Sequence, residues 1–265
     1  PIWVPFLGDI SHHSTFLNLI LGQDFIEGNS NPLIESGSTS KHGTTILETI
    51  AAIQDNDLGQ DGINDDARLW LARSTGSGRW AEALVDFVEA AKQSGQPNAI
   101  ANLSFDLTQI DSEGNVSTRL ELTANERAAL EYARANNVLV VAAAGNNGGE
   151  MSALGQASSE FENLIAVGAA EGGDRAGYSS YGEGLDLLAP GQAATGESGS
   201  SIAAAKVSGI ASLAWAANPE LSAAEIAEIL TATATDLNAP GWDATTGMGL
   251  VNLAAAVTAS KAATP

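Results

Sequence analysis

Six consecutive apolar residues, Val138-Leu139-Val140-Val141-Ala142-Ala143, constrain the fold more than any other stretch. A strand that alternates polar and apolar side chains can leave one face to water, whereas a continuous apolar run has to be covered on both faces. The run follows Thr123-Ala124-Asn125-Glu126, a capping box that opens a helix ending near Asn136 and Asn137. The same order of helix and strand recurs along the chain. Residues 2–7 read as a strand, 44–53 as a helix and 69–72 as a short strand. Over 79–94, Trp80, Leu84, Phe87, Val88 and Ala91 fall on one helical face. Further strands are expected at 99–104, 164–167 and 185–188. A second capping box, Ser222-Ala223-Ala224-Glu225, opens a helix to about 233, and a last helix runs from about Asn252.

This alternation predicts an α/β fold in three layers, with a mostly parallel sheet and helices on both faces joined by right-handed crossovers. No internal repeat, low-complexity tract or linker divides residues 1–265, so one domain is expected. In such sheets, function sits beyond the carboxyl ends of the strands. Chemistry is therefore expected just after Leu7, Ser104 and Ala143.

Composition removes several function classes. A hydrophobic share of 44% and Gly 28 are globular values, and no run approaches the ~18 apolar residues that span a bilayer. Cys 0 excludes a thiol nucleophile and every Cys-ligated metal centre, and His 3 argues against a multi-His cage. Asp+Glu 32 against Lys+Arg 11 gives a net charge of -21, a field that repels phosphate backbones and anionic membranes and so excludes nucleic-acid binding. The same field suits a saline or calcium-rich setting, and with the missing thiols it points to a secreted or cell-surface protein. The chain opens on Pro1-Ile2-Trp3, as after removal of a leader or trimming.

Four short polar stretches carry candidate chemistry: Gly8-Asp9, Lys41-His42-Gly43-Thr44, Ala144-Gly145-Asn146-Asn147 and Gly199-Ser200-Ser201-Ile202-Ala203-Ala204. Serine hydrolysis needs a hydroxyl nucleophile, a base, a carboxylate that orients the base and donors for the oxyanion. Ser201, His42, Asp9 and Asn146 supply one of each. Each has an ordinary reading too. His42 could be a helix-entry residue, Ser201 a small packing residue, Asn146 a left-handed turn residue, and Asp9 a helix cap or calcium ligand. His12 and His13 read as solvated loop residues.

The flanking residues weigh against coincidence. His42-Gly43-Thr44 before a helix, Val140-Val141-Ala142-Ala143-Ala144-Gly145-Asn146, Gly199-Ser200-Ser201-Ile202-Ala203-Ala204-Ala205-Lys206-Val207-Ser208-Gly209, and the closing Gly247-Met248-Gly249-Leu250-Val251-Asn252 together resemble the blocks of the subtilisin-like serine proteases. The resemblance covers nearly the whole chain. It implies the subtilisin-like three-layer fold and a serine endopeptidase, with Ser201 as nucleophile, His42 as base, Asp9 as its orienting carboxylate and Asn146 as oxyanion donor. It also implies that Ser104, Phe105 and Asp106, facing Ala144 and Gly145, flank an extended protein or peptide substrate. Asp106, where the family often has Gly, would favour basic or polar side chains on the amino side of the cut. The loop after the His42 helix, Asp55-Asn56-Asp57-Leu58-Gly59-Gln60-Asp61-Gly62, falls where many subtilases bind calcium. Asn56, the Leu58 carbonyl and Gln60 would be the ligands of a structural calcium, with a solvated turn the even alternative. A pro-segment or neighbouring domains of a longer chain are further partners the resemblance suggests.

The chain departs from the family pattern in places. Asp9-Ile10-Ser11 replaces Asp-(Ser/Thr)-Gly, Ser200 replaces the usual Thr, Ala205-Lys206 replaces Pro-His, and Leu47-Glu48 replaces a small pair. These changes leave a catalytically inactive binding or structural domain as the rival reading. Gly8-Asp9-Ile10-Ser11 also resembles, faintly, the Gly-Asp-Ser-Leu block of another hydrolase class, but without Ser at the nucleophile position.

Overall fold

The computed structural model describes residues 2–5, 16, 18–33, 41–57, 59–96 and 98–264. Parallel strands form its centre: β1 (Ile2–Pro5), β2 (Leu19–Asp24), β3 (Leu69–Arg73), β4 (Ala99–Leu103), β7 (Val138–Ala143), β8 (Leu164–Glu171) and β10 (Leu187–Pro190). They lie in the order β10-β8-β7-β4-β1-β3-β2, and a short β9 (Asp174–Arg175) pairs antiparallel with β8. A separate hairpin of β5 (Thr108–Ile110) and β6 (Val116–Thr118) leaves the sheet after β4. The helices are α1 (His42–Ala51), α2 (Trp80–Gln93), α3 (Ala124–Ala135), α4 (Ala153–Gln156), α5 (Ser200–Ala217), α6 (Ala223–Ala232) and α7 (Leu253–Ala262).

The apolar run at 138–143 explains the layers. All six residues of β7 are buried. Leu139, Val141 and Ala143 pack into a core with α1, α5 and α6, while Val138, Val140 and Ala142 enter a second core with α2 and α3. A strand's side chains alternate between faces, so each face of the run supplies one core. α5 carries thirteen buried residues on all sides (Ser200, Ser201, Ile202 and Ala203 among them), as expected of a helix enclosed within the protein. Its alanines let it lie close over the sheet.

Both expected capping boxes form. Thr123 Oγ1 accepts from Glu126 N at 3.3 Å while Glu126 returns to Thr123 N. Ser222 and Glu225 do the same for α6. Glu126 does more than cap. Desolvation works to raise its carboxyl, but hydrogen bonds from Arg119, the Thr123 backbone and the Trp80 indole hold it at about 2. Trp80 in turn stacks at 5.9 Å on Phe105, so this buried ion pair steadies one expected substrate segment.

Element ends differ from expectation for physical reasons. α1 starts at His42 and stops at Ala51 because Ala52 turns extended (φ -63, ψ 144). The last strand begins at Leu187 rather than 185, since Leu185 N closes a turn onto Gly182 and the Asp186 carboxylate accepts from Ala166 N at 2.7 Å. β2 was not expected. Its pairing with β3 shifts register between Leu21 and Asp24, which breaks the alternation a strand is read from. The strand expected over 2–7 is described over Ile2–Pro5, and its end at Leu7 lies outside the described residues. Among the described residues no helix is long and apolar enough to cross a membrane.

Candidate active site

The β4 and β7 registers pair Asn102 with Val141 and Leu103 with Ala142, so the segments that follow, 104–106 and 144–146, leave the sheet side by side. Gly145 makes this approach possible. Its φ is +106, and a Cβ there would lie 2.8 Å from Asp106 Oδ2 and 2.9 Å from Ser180 Oγ, so only glycine fits. The backbone N–H of Gly145 donates to Ser200 Oγ at 3.1 Å, and Ser200 N donates to Asn146 Oδ1 at 2.8 Å. The second bond fixes the amide: its oxygen is taken by a donor, so Asn146 Nδ2 is the group left to donate. Three of the residues picked from sequence, Gly145, Asn146 and Ser201, thus converge on the amino end of α5.

Ser201 sits there with 6% exposure. Its hydroxyl donates to the Ser104 carbonyl at 3.2 Å, and Ser104 Oγ donates back to the Ser201 carbonyl at 2.9 Å. Behind this pair lies a chain that sequence reasoning missed. Ser208 donates to Asn102 Oδ1 at 3.0 Å, and Asn102 Nδ2 donates to Ser104 Oγ at 2.8 Å, with Asn102 and Ser208 fully buried. A lone amide in the apolar strand Ala99-Ile100-Ala101-Asn102-Leu103 was the available signal, because a buried amide demands partners.

His42 is the first residue of α1. Its Nδ1 meets a carboxylate, Oε1 of Glu197. Sequence reasoning also missed this residue; an acid four positions before Ser201, in a block otherwise small and neutral, was the signal. Asp9, His12 and His13 lie outside the described residues. Asp106 is half-buried, and burial pushes its carboxyl up while the Leu107 N–H, donating to Oδ1 at 2.9 Å, works in the opposite direction. Leu47 is fully buried in the α1–α5 core, so the bulk that replaces a small residue is absorbed by packing.

The candidate calcium ligands do not fit a cation cage. Gln60 Oε1 accepts from Ala194 N at 3.1 Å, while Gln60 Nε2 donates to Thr49 Oγ1 and toward the Thr45 carbonyl. Its amide oxygen is therefore committed to the backbone. Asn56 is partly buried, Leu58 lies outside the described residues, and among the described residues no three acid or imidazole groups cluster as a metal would need.

If Asn146 donates to an oxyanion, Asn146→Ala will lower kcat by roughly 10²- to 10³-fold, the usual cost of losing one such donor, with KM nearly unchanged. Steady-state kinetics on a peptide amide checks it; a change confined to KM contradicts it.

Known proteins carry the same pattern. The profile of the Subtilase family matches residues 23–249. Subtilisin DY of Bacillus licheniformis is 32% identical over 262 residues, covering 93% of this chain and 87% of that protein. Subtilisin BL of Lederbergia lenta is 33% identical over 252 residues, covering 91% and 84%. Among solved structures, Sphericase superposes with a TM-score of 0.76 at 26% identity, covering 95% of this chain and 90% of its own. The alternating α/β architecture, the blocks around His42, Asn146 and Ser201 and these relatives agree: the chain belongs to the subtilase family and is a serine endopeptidase.

Proposed function

We propose that the protein cleaves internal peptide bonds through an acyl-enzyme formed on Ser201, and that it acts outside the cell on protein or peptide substrates. The observation that carries this reading is the convergence of Ser201, Ser104 and Asn146 at the amino end of α5, with the hydroxyl at 3.2 Å from the Ser104 carbonyl and the Asn146 amide turned to donate. In the free protein the hydroxyl rests on a backbone oxygen. Catalytic hydrogen bonds commonly tighten only once substrate is bound.

The chemistry then runs in two halves. Ser201 Oγ attacks the carbonyl carbon while its proton passes to His42 Nε2, and the oxyanion is held by Asn146 Nδ2 and the Ser201 N–H at the helix terminus. The C–N bond breaks as His42 returns the proton to the leaving amine, leaving an ester on Ser201. Water repeats the sequence, giving its proton to His42 and releasing the acid. A carboxylate on the Nδ1 side keeps Nε2 free to accept; the family resemblance gives that part to Asp9.

Digestion of an unfolded protein, with the new termini mapped by mass spectrometry, tests the reading. Internal cuts spread along the substrate are expected, whereas trimming from one end only, or no new termini, would refute it.

Ser104, Phe105 and Asp106 on one side and Ala144 and Gly145 on the other would flank the substrate as added strands. The Asp106 carboxylate lies against Gly145, partly desolvated, so a cationic substrate side chain would favour its ionised form and be attracted by it. With peptides matched except at the residue preceding the cut, kcat/KM for Lys is expected to exceed that for Glu by about 10-fold or more, and Asp106→Asn to remove most of the difference. Equal cleavage of both peptides would reject a role for Asp106.

A further inference from the structure

His42 meets a carboxylate that the family pattern does not supply. Its Nδ1 is hydrogen-bonded to Oε1 of Glu197, with the two side chains 34% and 33% exposed. Nδ1–H is a single donor, so whichever acceptor holds it sets the tautomer and leaves Nε2 as the basic nitrogen.

Glu197 does not arrive there on a free loop. Gln192 and Ser198 form an antiparallel bridge, Ala193 N donates to Glu197 O at 2.8 Å, and Gly196 N donates to Ala193 O at 3.0 Å. Gly196 takes φ +87 to close this turn. Two side chains then pin the turn to the body of the protein. Lys206 Nζ donates to Gln192 O at 2.7 Å, just over one turn along α5 from Ser201. Gln60 accepts from Ala194 N at 3.1 Å and reaches back to Thr49 Oγ1 on α1 at 3.2 Å, the helix that begins with His42. Gly199 N donates to Gly191 O at 2.8 Å and closes the base just before Ser200. The turn is thus tied to α1 on one side and to α5 on the other. Those are the two elements that must hold His42 and Ser201 in register. Lys206 stands where the family has an imidazole, and Gln60 was read from sequence as a calcium ligand; both serve here as anchors of the same turn.

We propose that Glu197 is a positioning residue of the active site, holding His42 as the Nδ1–H tautomer so that Nε2 faces Ser201. This assigns to Glu197 the part that resemblance gives to Asp9. It rests on the reading of His42 as the general base of Ser201.

The test uses protein labelled with ¹⁵N-histidine. Since the chain has His 3, the resonances of His42 can be assigned by comparison with His42→Ala. In the unsubstituted protein the neutral ring of His42 is expected in the Nδ1–H form, with its Nδ1 proton strongly downfield. In Glu197→Ala that signature is expected to disappear and the ring to revert to the Nε2–H form, while kcat falls about 10²- to 10⁴-fold and KM stays within about twofold. Glu197→Asp, one methylene shorter, is expected to recover part of the kcat and the downfield proton. Asp9→Asn is the opposing arm. An unchanged tautomer and unchanged kcat in Glu197→Ala, with both lost in Asp9→Asn, would overturn the proposal and give the role to Asp9. The tautomer is read without turnover. Loss of the signature in Glu197→Ala, with no difference in hydrolysis between the unsubstituted protein and Ser201→Ala, would refute the peptidase mechanism while leaving the Glu197–His42 contact standing.

Discussion

Ser201→Ala is expected to lower the rate of peptide-bond hydrolysis on the order of 10⁴-fold or more, and His42→Ala to do the same. The double variant should be little worse than either, because a nucleophile without its base and a base without its nucleophile are disabled alike. Folding should survive the first change. Among the described residues the Ser201 hydroxyl makes one hydrogen bond, to the Ser104 carbonyl, and losing one such bond costs about 1–3 kcal/mol, less than a domain's stability. Ser201→Ala would leave the proposed oxyanion donor Asn146 and the proposed substrate segments in place, so residual catalysis above the uncatalysed rate is expected. Circular dichroism and unfolding midpoints matched to the unsubstituted protein would separate lost chemistry from lost structure. Activity within tenfold of the unsubstituted protein in either variant would contradict the assigned roles.

The second large effect concerns stability and pH. Desolvation pushes the carboxyl of Asp186 from 3.8 up to about 7, even though the Ala166 N–H, donating at 2.7 Å, favours the charged form. The folded protein therefore keeps a proton on Asp186 between about pH 4 and 7, where the unfolded chain has released it. Folding binds the proton, so the stabilisation tied to this group is full below about pH 4 and is lost as the pH rises through about 7. A shift of this size corresponds to about 2–4 kcal/mol, allowing for relaxation around the site.

Asp186→Asn keeps an oxygen for the Ala166 N–H and removes the titration. The variant is expected to match the parent near pH 4 and to exceed it by about 2–4 kcal/mol at pH 8. Urea unfolding at the two pH values measures the difference. Repulsion among the excess acids, at a net charge of -21, also weakens the fold as pH rises, but it acts nearly equally on both proteins and cancels in the comparison. An equal fall in stability from pH 4 to pH 8 in parent and variant would show that Asp186 is ionised throughout. The position has leverage, because Asp186 O also accepts from Met248 N at 2.8 Å and lies where a Cβ on Gly247 would collide, 2.4 Å away. It joins β8 to the closing glycine stretch.

The layered fold was legible because its signals are local. The unbroken apolar run of β7 demanded cover on both faces, and the two capping boxes fixed the starts of α3 and α6. Ser201, His42 and Asn146 could be proposed from sequence as short blocks with a chemical reason for each residue. Contacts between distant segments were not legible. Glu197 reaches His42 across 155 positions, and Ser208 reaches Asn102 across 106; neither has a local pattern. The loop at 55–62 was only partly legible for a related reason. Its oxygens look like cation ligands in sequence, but the Gln60 amide is taken by Ala194 N, a donor from far along the chain. β2 was missed because its register shift breaks the alternation.

Whether Ser201 is an activated nucleophile decides the mechanism. Fluorophosphonate labelling of the folded protein, with mass mapping of the modified residue, tests that directly, since the probe reacts with activated serines and passes over ordinary hydroxyls. A single adduct on Ser201, lost in His42→Ala, is the expected result. Well-folded protein that takes up no adduct, or takes it up on another residue, would contradict it.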